Sequence, residues 1–408
     1  LVSLTSGLIG PRPLEAGVEF SGRIKLFTSF YLNTNKSGPY FFHEAGEFAL
    51  KRLETRFVLS SELSSKVSFY ARVDTYSSPE AIFGSPPFPE ATSLGVPVQS
   101  EPFEGVLYEG LVKISDFIIP HLDLTIGKQR ISWGTADKMN AVDNLNPIDL
   151  ANFLSFDPDY FAERRPQMAF NWEWWLGASH KLQFVWLLGR QYAPLPRGFT
   201  RLLTQAYDLT EIRLVKDNYK LQNPNFGFRW TGLVGNFDFG VSYYRGNAHL
   251  PVFTGVEVSA TKGIIPYFSY PRENIFGLDL AGELRGVGLW AEAALVVPED
   301  SRGFVEKMIL VNNQPIIYRD EFDLFAASYL RFVVGFDYTL GLGNGLYINA
   351  QYLHGFFDER SYTPKAKRVF GWTKGMFFGE LEDYLVMRTE YRLFREALKL
   401  QLGSILEL

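Results

Sequence analysis

"RFVVGFDYTLGLGNGLYINAQYLHGF", running from Arg331 to Phe356, decides how this chain is built. Taken at every second residue, Leu330, Phe332, Val334, Phe336, Tyr338 and Leu340 form an apolar row, and Arg331, Val333, Gly335 and Asp337 interleave with it. After Leu342-Gly343-Asn344-Gly345 the alternation resumes, with Leu346, Ile348, Ala350 and Tyr352 against Asn349 and Gln351. Period-two alternation on both sides of a Gly/Asn turn is a β-hairpin signal. In a soluble sandwich the apolar face of such a hairpin meets a second sheet; in a membrane barrel it meets lipid.

The pattern recurs along almost the whole chain. Gly22, Ile24, Leu26, Thr28, Phe30 and Leu32 alternate with Ser21, Arg23, Lys25, Phe27, Ser29 and Tyr31. Leu53, Thr55, Phe57 and Leu59 alternate with Arg52, Glu54 and Arg56, and Val67, Phe69, Ala71 and Val73 with Ser68, Tyr70, Arg72 and Asp74. Further candidates lie near 105–115, 121–131, 167–176, 181–190, 225–234, 237–246, 274–284, 286–297, 327–341, 345–357, 381–394 and 396–404. That makes about fifteen, most of them near the ~10 residues a tilted strand needs to cross a bilayer.

The connections separate the two architectures. Short ones, Ser60–Lys66, Asp116–His121, Leu176–Lys181, Gly235-Asn236, Leu284–Gly286, Leu342–Gly345 and Phe394–Glu396, alternate with long ones near 33–46, 77–104, 132–166, 191–224, 247–273, 298–326 and 358–380. Outer-membrane barrels have tight periplasmic turns and long extracellular loops. A soluble sandwich has no reason to gather every long loop at one end, and loops of this length count against a compact soluble domain. The expectation is an all-β fold, a transmembrane antiparallel up-and-down β-barrel of about 16 strands, in the outer membrane of a Gram-negative bacterium. Tyr108, Trp172, Trp174, Trp230, Tyr243, Tyr338 and Tyr391 lie at the ends of apolar rows and suit interfacial girdles.

Composition fits this reading. The 408 residues show no composition break or Gly/Ser linker, and aromatic residues reach 16%, weighted towards the strand formers Phe and Tyr. No stretch approaches the ~18 apolar residues of a membrane helix. The chain has no cysteine, which excludes disulfides, thiolate metal sites and covalently attached c-type haem. A net charge of −5, evenly spread, argues against nucleic acid. The start at Leu1, without Met, fits a processed mature protein.

The face opposite the apolar rows is heavily charged. Its expected pore-lining members are Arg23, Lys25, Arg52, Glu54, Arg56, Arg72, Asp74, Glu109, Lys113, Arg229, Asp238, Asp279, Glu292, Arg331, Asp337, Arg388, Glu390 and Arg392, with Asp123, Glu173 and Lys399 beside them. Buried dry, each ion would cost several kcal/mol unless paired; along a wet lumen they stay hydrated and either brace the wall as ion pairs or act on passing solutes. The signs nearly balance, so neither anions nor cations are strongly preferred.

One long connection, "GKQRISWGTADKMNAVDNLNPIDLANFLSFDPDYFAERRP" (Gly127–Pro166), carries Asp137, Asp143, Asp149, Asp157 and Asp159. Asn146-Pro147-Ile148-Asp149 reads as a helix start, a capping residue followed by Pro and an acid, and predicts a helix over 147–154. The aspartate spacing fits no dedicated Ca²⁺ loop, so no metal site is assigned. Gly127-Lys128-Gln129-Arg130, Trp133-Gly134, Ala136-Asp137 and Asn146-Pro147-Ile148-Asp149-Leu150 resemble the central signature of a broad, mostly uncharacterised family of Gram-negative outer-membrane barrels, distantly similar to the alginate-export barrels. The signature covers about a tenth of the chain. It implies a porin-like channel and carries over no catalytic residue. By analogy with general porins, 132–166 either folds inward as a constriction or packs across the mouth.

The expected function is passive or weakly selective passage of small hydrophilic solutes, with no cofactor. The alternative is a sheath enclosing a partner protein, such as a multihaem cytochrome in an electron conduit. A homo-oligomer and a periplasmic or lumen-threaded partner are both compatible with the sequence. An enzyme is not expected, because His43, His121, His180, His249 and His354 are scattered between both ends and form no triad or metal cluster.

Strand parity leaves one tension. With fifteen strands the first and last would run parallel, whereas single-chain bacterial barrels close with an even number. A sixteenth strand beyond Leu408, a strand hidden in a loop such as Met308–Arg319, or a strand from Leu1–Gly17 would each bear on the count. The hairpin adds two strands and reads as an extracellular extension. Gly7, Gly10, Pro11 and Pro13 suit a periplasmic arm or plug over 1–17, ahead of a barrel domain over 18–408. The reading therefore favours a strand beyond Leu408.

Overall fold

The computed structural model describes residues 4–14, 17–30, 45–46, 48–77, 90–91, 97–98, 103–137, 139–149, 164–190, 192–194, 211–216, 221–259, 262–299, 302–311, 314–325, 328–355, 362–370, 383–393 and 398–408. The chain divides into two compact units. One comprises Leu1–Ile131, Asn146–Trp172 and Ala193–Ile212; the other comprises Ser132–Leu145, Glu173–Tyr192 and Arg213–Leu408.

Sixteen strands follow one up-and-down order. Those of the first unit are Leu4–Leu14, Val18–Phe30, Phe48–Ser64, Val67–Ser77, Phe103–Ile114 and Leu122–Gln129. Gln167–Leu176 begins in the first unit and ends in the second. His180–Leu187, Asn225–Val234, Phe237–Asn247, Arg272–Leu284, Val287–Pro298, Tyr329–Leu340, Leu346–His354, Asp383–Leu393 and Leu398–Glu407 complete the order. In the hairpin that opened the sequence, Phe336 faces Ala350, Asp337 faces Asn349 and Leu340 faces Leu346. Gly343 (φ 57°) and Gly345 (φ 96°) supply the left-handed turn that their lack of a Cβ permits.

Each unit shows the same inversion of ordinary burial. In the second, Leu278 is 59% and Val334 51% exposed, whereas Asp279 and Glu292 on the alternate positions are 5% and 2% exposed. Phe276, Leu280, Leu295, Leu330 and Phe336 share the exposed face. In the first, Ile24, Leu26, Phe57, Leu59 and Leu107 are exposed while Lys25, Glu54 and Asp74 are buried. Rows of exposed large apolar side chains are rare on soluble monomers and mark a surface that something apolar covers.

Leu4–Leu14 is the first departure from the sequence reading. It pairs antiparallel with Val18–Phe30, from Leu4 opposite Leu26 to Leu14 opposite Val18. The register shifts between Ser6 and Leu8 and again between Ile9 and Arg12, so Gly7, Gly10 and Pro11 fall in the irregularities. Proline cannot donate to a ladder but is accepted at a bulge and at the end of a sheet order, and both conditions hold here. With this strand counted, the order holds sixteen strands, an even number.

The long connections are not structureless. Arg213–Val215, Gly263–Ser269, Val252–Ser259, Arg302–Val311 and Gln314–Asp323 form a second, five-stranded sheet within the second unit. The hairpin anticipated at Met308–Arg319 is present, with Met308 opposite Ile317. It joins Val252–Ser259 through a parallel pairing, Gly255 opposite Phe304, that no local pattern announces. The helix Pro364–Phe370 covers this sheet: Thr363 Oγ1 accepts the Ala366 N–H at 3.2 Å, a capping bond ahead of a first-turn proline. Val252, Phe322, Leu324, Phe325, Tyr362 and Ala366 make its core.

Candidate functional site

The second unit folds the first half of the long connection onto its own charged face. Glu292, on Val287–Pro298, is the centre. Its Oε1 accepts the Thr135 and Ala136 N–H groups at 2.5 and 2.7 Å and the Asn140 amide at 3.2 Å. Its Oε2 accepts the Ala141 and Val142 N–H groups at 2.7 and 3.3 Å. Among the described residues no ion pair holds this carboxylate, so converging amide dipoles carry the cost of burying it. Arg331 donates to the Ala141 carbonyl at 3.1 Å and to the Asn144 side chain. Trp133, fully buried, donates its indole N–H to Gln183 at 2.8 Å. Asp137 meets Arg388 at 2.8 Å and accepts from Asn349 at 3.3 Å, while Gln351 donates to the Asp137 carbonyl at 2.9 Å.

Small residues on the strands make room for this segment. A Cβ on Gly227 would lie 2.5 Å from the Trp133 ring, and one on Gly277 2.8 Å from Val142. Gly134 (φ 85°) turns the chain so close to Glu292 that a side chain would collide with its carboxylate. Contact therefore depends on glycines in the sheet as much as on the polar anchors.

In the first unit the second half of the connection is clamped by Asn146. Its side-chain oxygen accepts the Ile131 N–H at 2.9 Å, and its amide donates to the Gln129 and Arg165 carbonyls at 3.3 and 2.8 Å. The sequence predicts that Asn146 caps a helix; instead its side chain ties the 129–131 stretch to Arg165, and Ile148 bridges antiparallel to Arg164. Asp149 takes Arg165 at 2.7 Å rather than a helix N-terminus. The remainder of the expected helix, 150–154, lies outside the described residues. On the neighbouring wall Arg23 and Arg56 converge on Glu54 at 3.2 and 3.4 Å, and Arg56 and Arg72 on Asp74 at 2.9 and 3.0 Å.

The other anticipated residues fall mainly into cross-strand pairs. Arg229 meets Asp279 at 2.6 Å, Lys113 meets Asp123 at 2.9 Å, and Lys181 meets Glu173 at 2.6 Å. Arg392 and Lys399 both hold Glu390 at 2.9 Å. Glu109 accepts the Arg130 N–H at 3.0 Å, Asp337 accepts from the Tyr347 hydroxyl at 3.2 Å, Lys25 and Asp143 are buried, and Asp238 is exposed. Asp157, Asp159 and the side chain of Arg52 lie outside the described residues. Tyr108 is not an exposed girdle residue: it is buried with the Arg72 guanidinium 3.8 Å above its ring. Trp174, Trp230 and Tyr338 are exposed as expected. Asn349 and Gln351, which the alternation puts on the polar face, and Gln183, which the sequence reading does not single out, join the site although the expected lining counts only charged residues. His354 reaches Asp383 at 2.7 Å, an acid the sequence reading did not connect with it.

At the short turn after Phe103–Ile114, outside the strands, Asp116 accepts the His121 N–H at 2.8 Å and faces Lys66 at 3.5 Å. That N–H first, and then the Lys66 charge, hold its carboxyl below the ordinary value.

No protein-family model matches the chain, and no curated protein matches it. Among solved structures it is similar to Salmonella typhi OmpF in complex with daunomycin, at 10% identity and TM-score 0.44, over 93% of this chain and 87% of that one. It is also similar to OmpT, an outer membrane protein of Vibrio cholerae, at 7% identity and TM-score 0.45, over 98% and 90%. The outer membrane channel DcaP of Acinetobacter baumannii matches at 10% identity and TM-score 0.44, over 94% and 90%. None of these is an alginate-export barrel, so that resemblance stands on the quoted motifs alone. Likenesses this distant say nothing of what the chain does.

Proposed function

We propose that the sixteen strands close into a transmembrane barrel in the outer membrane of a Gram-negative bacterium, and that the chain is a channel for small hydrophilic solutes. One observation carries this reading. Trp133–Asn144 is seated on the charged face of strands whose opposite face exposes rows of Leu, Val and Phe. If the apolar rows face lipid, the charged face lines the lumen, and a segment bound to it narrows the passage. Of the two fates for this connection, an inward constriction then fits better than a cover across the mouth.

The wall chemistry supports weak selectivity. Most of its ions are already bound to a neighbour or to the inward segment, as with Arg229–Asp279 and Glu292, so little uncompensated charge remains to bias a passing ion. The inward segment also occupies wall that a threaded partner protein would need, which favours solute passage over a sheath. The test is electrical. Purified protein in a planar bilayer should give stable ohmic steps, and deleting residues 133–144 should raise their size. Absence of conductance from folded wild-type protein would overturn the channel; an unchanged step size in a folded deletion variant would overturn the constriction.

A further inference from the structure

The anchors of the inward segment differ in one respect. Glu292 is 2% exposed, whereas the Asp137 and Arg388 side chains are 30% and 24% exposed. Arg388 belongs to a row on the charged face: Asp337 lies directly opposite Asn349, and Asn349 directly opposite Arg388. Asp137 rests over the basic end of this row, with one oxygen shared between Arg388 and the Asn349 amide. Tyr347 bonds Asp337 at the acidic end and also lies beneath the Arg388 guanidinium, 5.4 Å from ring centroid to carbon.

The segment does not depend on Asp137 to stay in place. Glu292 binds four of its backbone N–H groups, Arg331 binds Ala141 and Asn144, Trp133 binds Gln183, and Gln351 binds the Asp137 carbonyl rather than its carboxylate. The Asp137 carboxylate is thus spare as an anchor and open to water. Its evident electrostatic effect is to cancel Arg388, a cation that strand parity holds on this face.

Resting on the channel reading above, we infer that the Asp137–Arg388 pair is the charge-selectivity determinant of the constriction. Paired, it presents almost no net charge to a passing ion. Removing either member leaves a partly exposed unit charge where the inward segment meets the wall, and the sign of that charge decides which ions are favoured.

The experiment measures reversal potentials in a KCl gradient across planar bilayers for wild type, Asp137→Asn, Arg388→Gln and the double variant. Asp137→Asn should raise the chloride-to-potassium permeability ratio and Arg388→Gln lower it, each about threefold, as a local potential of about half a kT acting oppositely on the two ions would produce. The double variant should return close to wild type. The shifts should shrink at 1 M salt, where the screening length is only ~3 Å. A purely structural role would move both single variants in the same direction without this salt dependence. Silence of the wild-type protein would overturn the channel reading itself. A conducting wild type whose single variants shift together, or not at all, would overturn this inference alone.

Discussion

Asn146 shows how much one side chain can hold. Its carboxamide satisfies the Ile131 N–H and the Gln129 carbonyl on one stretch of the first unit and the Arg165 carbonyl on another. Replacement by Ala would leave three backbone groups, two buried and one partly buried, without these partners, at ~1 kcal/mol or more for each hydrogen bond lost. Asn146→Ala should therefore lower the stability of the detergent-solubilised protein by about 2–4 kcal/mol, read as an earlier midpoint in denaturant unfolding. An unchanged midpoint would show that the clamp is dispensable. The sequence marked Asn146 as special but assigned it the wrong partner. Asn-Pro-x-Asp is a sound local helix signal; the groups that outbid it are 17 and 19 residues away along the chain.

Among elements, the strands were the most legible. The candidate at 225–234 coincides with Asn225–Val234, and the alternation over 330–340 matches the observed exposure of Leu330, Val334, Phe336 and Tyr338. Each strand carries its own period-two signal, so no distant residue is needed to recognise it. The five-stranded sheet was hidden because its parallel pairings, Gly255 with Phe304 and Arg213 with Tyr267, join segments far apart in sequence. The Asp116–His121 turn supports a pH prediction. With the Asp116 carboxyl depressed, its hold on the His121 N–H is complete above the ordinary carboxylate range and is lost as pH falls through the depressed value. The His121 amide resonance should move on acidification with a midpoint below that of an unperturbed aspartate, and Asp116→Asn should abolish the movement. A midpoint at or above the ordinary value would contradict the arrangement.

For the whole molecule, the governing feature is which face of the strands is apolar and exposed. In the proposed barrel the exposed rows need lipid or detergent to cover them, so the protein should leave solution when detergent is removed and keep strand-dominated circular dichroism while it is present. A stable detergent-free monomer would overturn the membrane reading. By itself the sequence determined the strand class, the alternation of apolar and charged faces and the short-turn, long-loop rhythm, because all three are written in neighbouring residues. Only the tertiary structure decided that Leu4–Leu14 is a strand, that long connections pair into a second sheet, and that Ser132–Leu145 lies on the charged face of its unit. Those outcomes depend on where distant groups converge: amides from five residues on Glu292, Trp133 over Gly227, Val142 over Gly277. Contacts between residues far apart in the chain leave no local period to read.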